Sequence, residues 1–266
     1  MRGERSYLDL VNKVMLTGFE RPDRTGTGTK ALFGQSIRAD LRDMRVPMLT
    51  TKKLPFKILY GELLWMIGGG TNIKPLQENG VHIWDAWADE NGELGPVYGA
   101  QWRSWGADGI DQLASVIMSL RANPFDRGHI VSAWNVDDLK FMALRPCPVM
   151  FQFLVDDNKG LHCVLTQRSA DLFLGVPFDM AEYALLTYMV ARLTDLVPRS
   201  LTMNFGDAHL YLNHLDQAAE LLSRDMRPEP WIMWTDHPRT IDDFGPDSIR
   251  LGGYDPHPTI KAEVAV

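Results

Sequence analysis

The residues with chemical reach gather in one stretch, Gln167-Arg168-Ser169-Ala170-Asp171-Leu172-Phe173-Leu174-Gly175-Val176-Pro177-Phe178-Asp179-Met180-Ala181-Glu182-Tyr183. An arginine, a serine, acidic groups and a Gly-x-Pro bend fall between an alternating strand and an apolar helix, and small-molecule sites favour such junctions. A second centre is Cys147, which stands between Pro146 and Pro148. The prolines keep it out of a helix and fix it on a bend before an apolar strand. A thiol there is either inert packing or a nucleophile whose pKa neighbouring cations lower. Cys163, inside Leu161-His162-Cys163-Val164-Leu165, reads as a structural strand residue. The run Arg21-Pro22-Asp23-Arg24-Thr25-Gly26-Thr27-Gly28-Thr29 is either an anion-holding loop or a solvated turn. Glu62, among apolar neighbours in Gly61-Glu62-Leu63-Leu64-Trp65, is exposed on an outer helix face or buried for a purpose. The aromatic runs Ile83-Trp84-Asp85-Ala86-Trp87 and Gly95-Pro96-Val97-Tyr98-Gly99 can wall a pocket for a flat ring or fill the core.

These groups need elements to hold them. Ser6 to Gly18 has helical spacing closed by glycine, Leu32 to Leu41 and Met48 to Thr51 read as strands, and a helix spans Phe56 to Ile67 before Gly68-Gly69-Gly70. Ile110 to Ala122 is a second amphipathic helix, and Ile130 to Trp134 a strand. Val149 to Val155 and Leu161 to Gln167 form a hairpin that delivers Arg168. The apolar helix expected from Asp179 to Leu193 is the central core helix. Leu201 to Phe205, a helix to Ser223 and short strands with proline-rich turns complete an α+β domain over residues 1–266, a mixed, mainly antiparallel sheet packed with helices.

The composition, 45% hydrophobic and 23% charged over 266 residues, is that of a soluble globule. A formal net charge of -7 argues against non-specific binding to duplex nucleic acid. No apolar run reaches the length of a membrane span, the first residues lack the apolar core of a signal peptide, and two cysteines make no disulfide framework. A cytoplasmic location without nucleic-acid or membrane partners is the expectation.

From Asp23 to Val266 the chain resembles thymidylate synthase. The resemblance is carried by Asp23 to Thr29, Glu62-Leu63-Leu64-Trp65, Ile83-Trp84-Asp85, Gly95 to Gly99, Pro146-Cys147, Gln167-Arg168-Ser169-Ala170-Asp171, Gly206-Asp207-Ala208-His209-Leu210-Tyr211 and Tyr254-Asp255-Pro256-His257-Pro258, in that order. It implies a thymidylate synthase-like fold and a homodimer formed through the sheet. It also implies a pyrimidine nucleotide 5'-monophosphate as substrate, 5,10-methylenetetrahydrofolate as co-substrate, and no metal. Cys147 would attack C6 of the ring, making C5 nucleophilic toward a one-carbon unit. Arg24, Arg168 and Ser169 would hold the phosphate, with Arg127 reaching the phosphate site of the partner. His209 and Tyr211 would hold the sugar hydroxyl and Gln167 would line the nucleotide site. Glu62 becomes the acid-base and water-ordering group, and Tyr98 assists removal of the C5 proton. Lys52, Ile83, Trp84, Trp87, Leu144, Asp171, Gly175, Phe178 and Val266 would contact the folate.

Four positions depart from that family pattern. Asp179 replaces an asparagine that faces the N3 and 4-substituent edge of the base. A carboxyl group can accept from the cytosine amino group and share a proton with N3, whereas beside uracil an ionised carboxylate is repelled by O4. The dCMP hydroxymethylases of the same superfamily carry aspartate here too. Pro148 replaces a histidine on the same edge of the base. Gly128 replaces one of two arginines lent to the partner, with His129 as its possible stand-in. Glu182 takes the place of a small residue. Trp84 and the tail Ile260 to Val266 favour reduction of the C5 methylene over its hydration. The expected activity is therefore that of a dCMP C5-methyltransferase supplying 5-methylcytosine nucleotides, from a bacteriophage. It stands ahead of a dCMP hydroxymethylase, a thymidylate synthase acting on dUMP, and an inactive nucleotide- or folate-binding regulator.

Overall fold

In chain order the elements are α1 (Gly3–Thr17), β1 (Phe19–Arg21), β2 (Thr29–Asp40), α2 (Phe56–Ile67), α3 (Lys74–Glu78), α4 (Tyr98–Arg103), α5 (Gln112–Ala122), β3 (Ile130–Ser132), β4 (Pro148–Val155), β5 (Gly160–Asp171), α6 (Gly175–Thr194), β6 (Val197–Tyr211), α7 (Leu215–Ser223), β7 (Trp231–Trp234) and β8 (Ile249–Gly252). The structure is a computed structural model and describes residues 3–264. Six strands form one sheet in the order β1-β2-β6-β5-β4-β3, while β7 and β8 make a separate pair. Every pairing is antiparallel except β5 beside β6. Parallel neighbours need a crossover, and α6 supplies it. The result is the expected mixed, mainly antiparallel α+β sheet.

Helix α6 is apolar around most of its circumference, and such a helix belongs in an interior. It packs on β5 and β6 and is flanked by α2 and α5, with Val176, Met180, Tyr183, Leu186 and Val190 all buried. Along β5, Leu161, Cys163, Leu165 and Gln167 are buried on the α6 side, while the alternate His162, Val164 and Thr166 are only half-buried on the other face. Among the described residues, no helix is long and apolar enough to cross a membrane.

Several sequence expectations need correction. Met48 to Thr51 is not a strand. The Thr50 and Thr51 amides donate to the Glu4 carboxylate at 2.7 and 2.8 Å, and both hydroxyls donate to it as well, so these amides are unavailable to a ladder. Helix α6 begins at Gly175, not Asp179. Gly175-Val176-Pro177 is thus its first turn, where amides lack helical acceptors and proline is tolerated. Strand β5 continues to Asp171 and β6 to Tyr211, so Arg168, Ser169, Asp171, Asp207 and His209 are all strand residues. The aromatic region, expected to be irregular, contains α4, reached through Gly95 at φ 74, where a Cβ would lie 2.0 Å from the Phe141 carbonyl oxygen.

Candidate active site

The register of the sheet sets the site. Strand β4 begins at Pro148, so Cys147 is the last residue before it, and the Arg168 amide donates to the Cys147 carbonyl at 2.9 Å. The Arg168 guanidinium donates to the carbonyls of Pro146 (2.9 Å) and Arg145 (2.8 Å), and its Nη2 lies 3.9 Å from Cys147 Sγ. The Trp134 ring lies 5.6 Å from the same guanidinium. The arginine is thus fixed beside the sulfur on several sides. Its charge, with that of Arg24, favours the thiolate, yet burial outweighs both and pushes the Cys147 thiol above its ordinary pKa. Asp179 and Asp171 add to the rise. The cations expected from the sequence are present, and the resting group is nonetheless the thiol.

Tyr98, on α4, accepts the Cys147 amide at its Oη, 3.2 Å away. Burial, then the nearby Cys147 sulfur, keeps its phenol protonated. Across from it Glu62 of α2 is 8% exposed, which settles the choice between surface and interior. Trp84 Nε1 donates to Glu62 Oε1 at 2.8 Å, and the Trp84 ring meets Tyr98 and Trp87 at 5.7 Å. Burial raises the Glu62 pKa, against hydrogen bonds from Glu182 and Trp84. Glu182, on α6, is 3% exposed and is held protonated by burial and by the Glu62 charge.

Asp179 lies one turn before Glu182. Gln167 Nε2 donates to its Oδ2 at 2.8 Å. Burial pushes the Asp179 pKa up to about 7; the Gln167 hydrogen bond opposes this, and the charges of Glu62 and Asp171 add to it. A carboxyl poised near neutrality can donate or accept a proton with little driving force lost.

The polar end of the sheet collects the groups assigned to phosphate and sugar. Thr29 pairs with Tyr211, Ser169 with Asp207, and Asp171 with His209. Asp23 orders the loop that carries the exposed Arg24, accepting from the Thr25 amide (3.0 Å), the Thr25 hydroxyl (2.7 Å) and the Gly28 amide (2.8 Å). His209 Nδ1 is 3.3 Å from Asp207 Oδ1, and its ring is edge-on to Tyr211 at 5.3 Å. Burial pushes the Tyr211 pKa to about 12.

The residues assigned to the folate are less uniform. Trp84 belongs to the core, with Ile83, Trp87, Leu144 and Phe178 partly buried against it. Asp171 Oδ1 accepts from the amides of Phe173 (2.9 Å) and Leu174 (3.2 Å), turning β5 into α6. Gly175 sits between Asp171 and Asp179, where a Cβ would approach them at 3.8 and 3.9 Å. Lys52 is turned inward, 4% exposed; its ammonium donates to the Phe173 carbonyl and lies 3.8 Å from the Phe173 ring. Burial lowers it to about 8. Val266 lies outside the described residues. Arg127 is exposed next to the edge strand β3, apart from this cluster. His129 is 1% exposed with neither ring nitrogen partnered, so it turns into its own chain and is no outward substitute for the arginine missing at Gly128.

Sequence reasoning did not find the clamp on Arg168, made by the Arg145 and Pro146 carbonyls and Trp134, nor a partner for Glu182. Carbonyls carry no signature of residue type, and the Glu62–Glu182 meeting joins helices distant in the chain.

A cysteine beside a fixed arginine, under buried carboxyls and at the polar end of a mixed sheet, defines a nucleophilic transferase that acts on a small polar substrate. The sequence model described as Thymidylate synthase matches residues 5–266, and the chain belongs to that family. Membership makes it a folate-dependent one-carbon transferase acting at C5 of a pyrimidine nucleotide, with methylenetetrahydrofolate as co-substrate.

Proposed function

We propose that this protein methylates C5 of dCMP, and the observation that carries the proposal is Asp179. Its carboxyl is steered by Gln167 and titrates near neutrality. Protonated, it donates to N3 of cytosine while its other oxygen accepts from the 4-amino group; ionised beside uracil, it faces O4 with like charge. In the reaction Cys147 loses its thiol proton to solvent, its sulfur bonds to C6 and the C5=C6 electron pair moves toward N3. Asp179 supplies the proton that N3 takes up. Arg168 stabilises the thiolate as it forms. Tyr98 and Glu62 serve the later removal of the C5 proton.

Methylenetetrahydrofolate, when bound, supplies the carbon and the hydride. The apolar side chains of Trp84, Trp87, Ile83, Leu144 and Phe178 suit a flat heterocycle, and Asp171 and Lys52, which attract each other, are the polar groups assigned to the same cofactor. Trp84, held by Glu62, excludes water from the C5 methylene, which favours methyl over hydroxymethyl. The active unit is a homodimer formed through the half-buried face of the sheet, with Arg127 serving the phosphate site of the partner.

The test incubates the protein with methylenetetrahydrofolate and either dCMP or dUMP and identifies products by mass. The expected product is dCMP heavier by a CH2 unit. Turnover of dUMP alone overturns the cytosine assignment, and addition of a hydroxymethyl group overturns the methyl assignment. Asp179→Asn is expected to shift preference toward dUMP.

A further inference from the structure

We propose that Gln167 is a positioning residue for base choice: by donating to one oxygen of Asp179 it decides which oxygen of that carboxyl carries the proton, and so which base edge the carboxyl fits. The inference deepens the reading above and rests on it for Asp179 as the group that meets the base. A protonated carboxyl on its own does not choose. With the proton on the oxygen that faces N3 it matches cytosine, donating to N3 and accepting from the 4-amino group. With the proton on the other oxygen it matches uracil, accepting from N3–H and donating to O4. A second group must tell the two oxygens apart.

Gln167 is 1% exposed and lies deeper than the half-buried Asp179, to whose Oδ2 its Nε2 donates at 2.8 Å. The carbonyl oxygen of a carboxylic acid accepts better than its hydroxyl oxygen, so this bond keeps Oδ2 as the acceptor and leaves the proton to Oδ1. Gln167 pairs across the sheet with Pro148, the neighbour of Cys147. Around the ring, the C6 that Cys147 attacks is followed by C5, C4 and N3, while the opposite way leads through N1 and the sugar. The oxygen held by Gln167 is therefore the one on the C4 side, and Oδ1 meets N3, which is the arrangement for cytosine. A second observation shows what holds the amide. Gln167 Oε1 is buried with no partner among the described residues, and Pro148 has neither an N–H nor a polar side chain to offer it. The direction of the amide thus follows residue 179 alone. A carboxyl acceptor draws Nε2 toward itself and leaves Oε1 unmet. An asparagine at 179 would present a donor as readily as an acceptor, and the Gln167 amide would turn to suit either.

The test measures Kd for dCMP and for dUMP by titration calorimetry on the wild type, Gln167→Met, Asp179→Asn and the double variant. Methionine is close to glutamine in shape and makes no such hydrogen bond. Beside Asp179, the preference for dCMP over dUMP should fall by about fivefold or more, since the carboxyl can then place its proton to suit either base. Beside Asn at 179, the same substitution should leave the ratio within about twofold, because a glutamine that turns with asparagine favours neither base. Gln167→Leu is measured in parallel, and the ratio is read from whichever variant keeps the wild-type circular dichroism. An unmoved ratio beside Asp179, including a loss of affinity shared equally by both nucleotides, overturns the proposal. So does the same change of ratio in both backgrounds. If the wild type binds dUMP more tightly than dCMP, the cytosine assignment fails, while the change of ratio on Gln167→Met still decides the role of Gln167.

Discussion

At Cys147 burial and Coulomb attraction oppose each other, and burial prevails. Alkylation by iodoacetamide should therefore be slow at neutral pH and accelerate only above the range of an ordinary thiol. Arg168→Ala should move the rate profile to still higher pH, and an inflection below that of free cysteine would show that the arginine dominates after all. Asp179 gives a second test with a definite sign. Its folded pKa of about 7 exceeds the ordinary carboxylate value, so the native state binds an extra proton between roughly pH 4 and 7. The stability it contributes is present below that window and lost as pH rises through 7. Asp179→Asn, which cannot ionise, should therefore gain on the wild type by roughly 2–4 kcal/mol between pH 5 and pH 8 in urea denaturation. The same gain at both pH values would rule out an ionisation effect. The residue types at the site were legible in the sequence, from Cys147 to Tyr211. The balance at each was not, because desolvation is set by atoms from distant segments.

At the scale of elements, Phe56–Ile67 was legible to the residue because glycines stop it, and the hairpin of β4 and β5 because its turn is polar. Helix α6 was legible as central but not in its start, since proline reads as a break whether it precedes a helix or opens one. The Met48 to Thr51 segment misled because alternation cannot show that a side chain from α1 takes the place of a neighbouring strand. That arrangement is testable. Glu4 is 1% exposed and accepts from two amides and two hydroxyls, so Glu4→Ala should cost about 3 kcal/mol in urea denaturation. A cost below about 1 kcal/mol would show that the threonines find other partners.

For the whole molecule, the half-buried face of the sheet and the exposed Arg127 make one prediction together. Arg127→Ala and Cys147→Ser should each be severely impaired alone. A mixture unfolded and refolded together should regain activity, because in a hybrid the Arg127→Ala subunit keeps its cysteine and receives the arginine of its partner. No recovery at any mixing ratio would mean that Arg127 serves its own chain or none. The fold class was legible from the order of elements. The uncovered face was not, since half-buried side chains of β5 alternate in the sequence just as solvent-facing ones do.

The placement of Asp179 and Glu182 on the buried crossover helix α6 bears on how such an enzyme can change over generations. A loop that chooses the substrate can drift freely, but Asp179, the side chain we propose for base choice, shares a helix with Val176, Met180 and Tyr183, which lie in the core. Selection for another pyrimidine is thus also selection on foldability. Variants with an altered base preference should arise together with compensating substitutions among the neighbours of α6, and only rarely by a single exchange at Asp179.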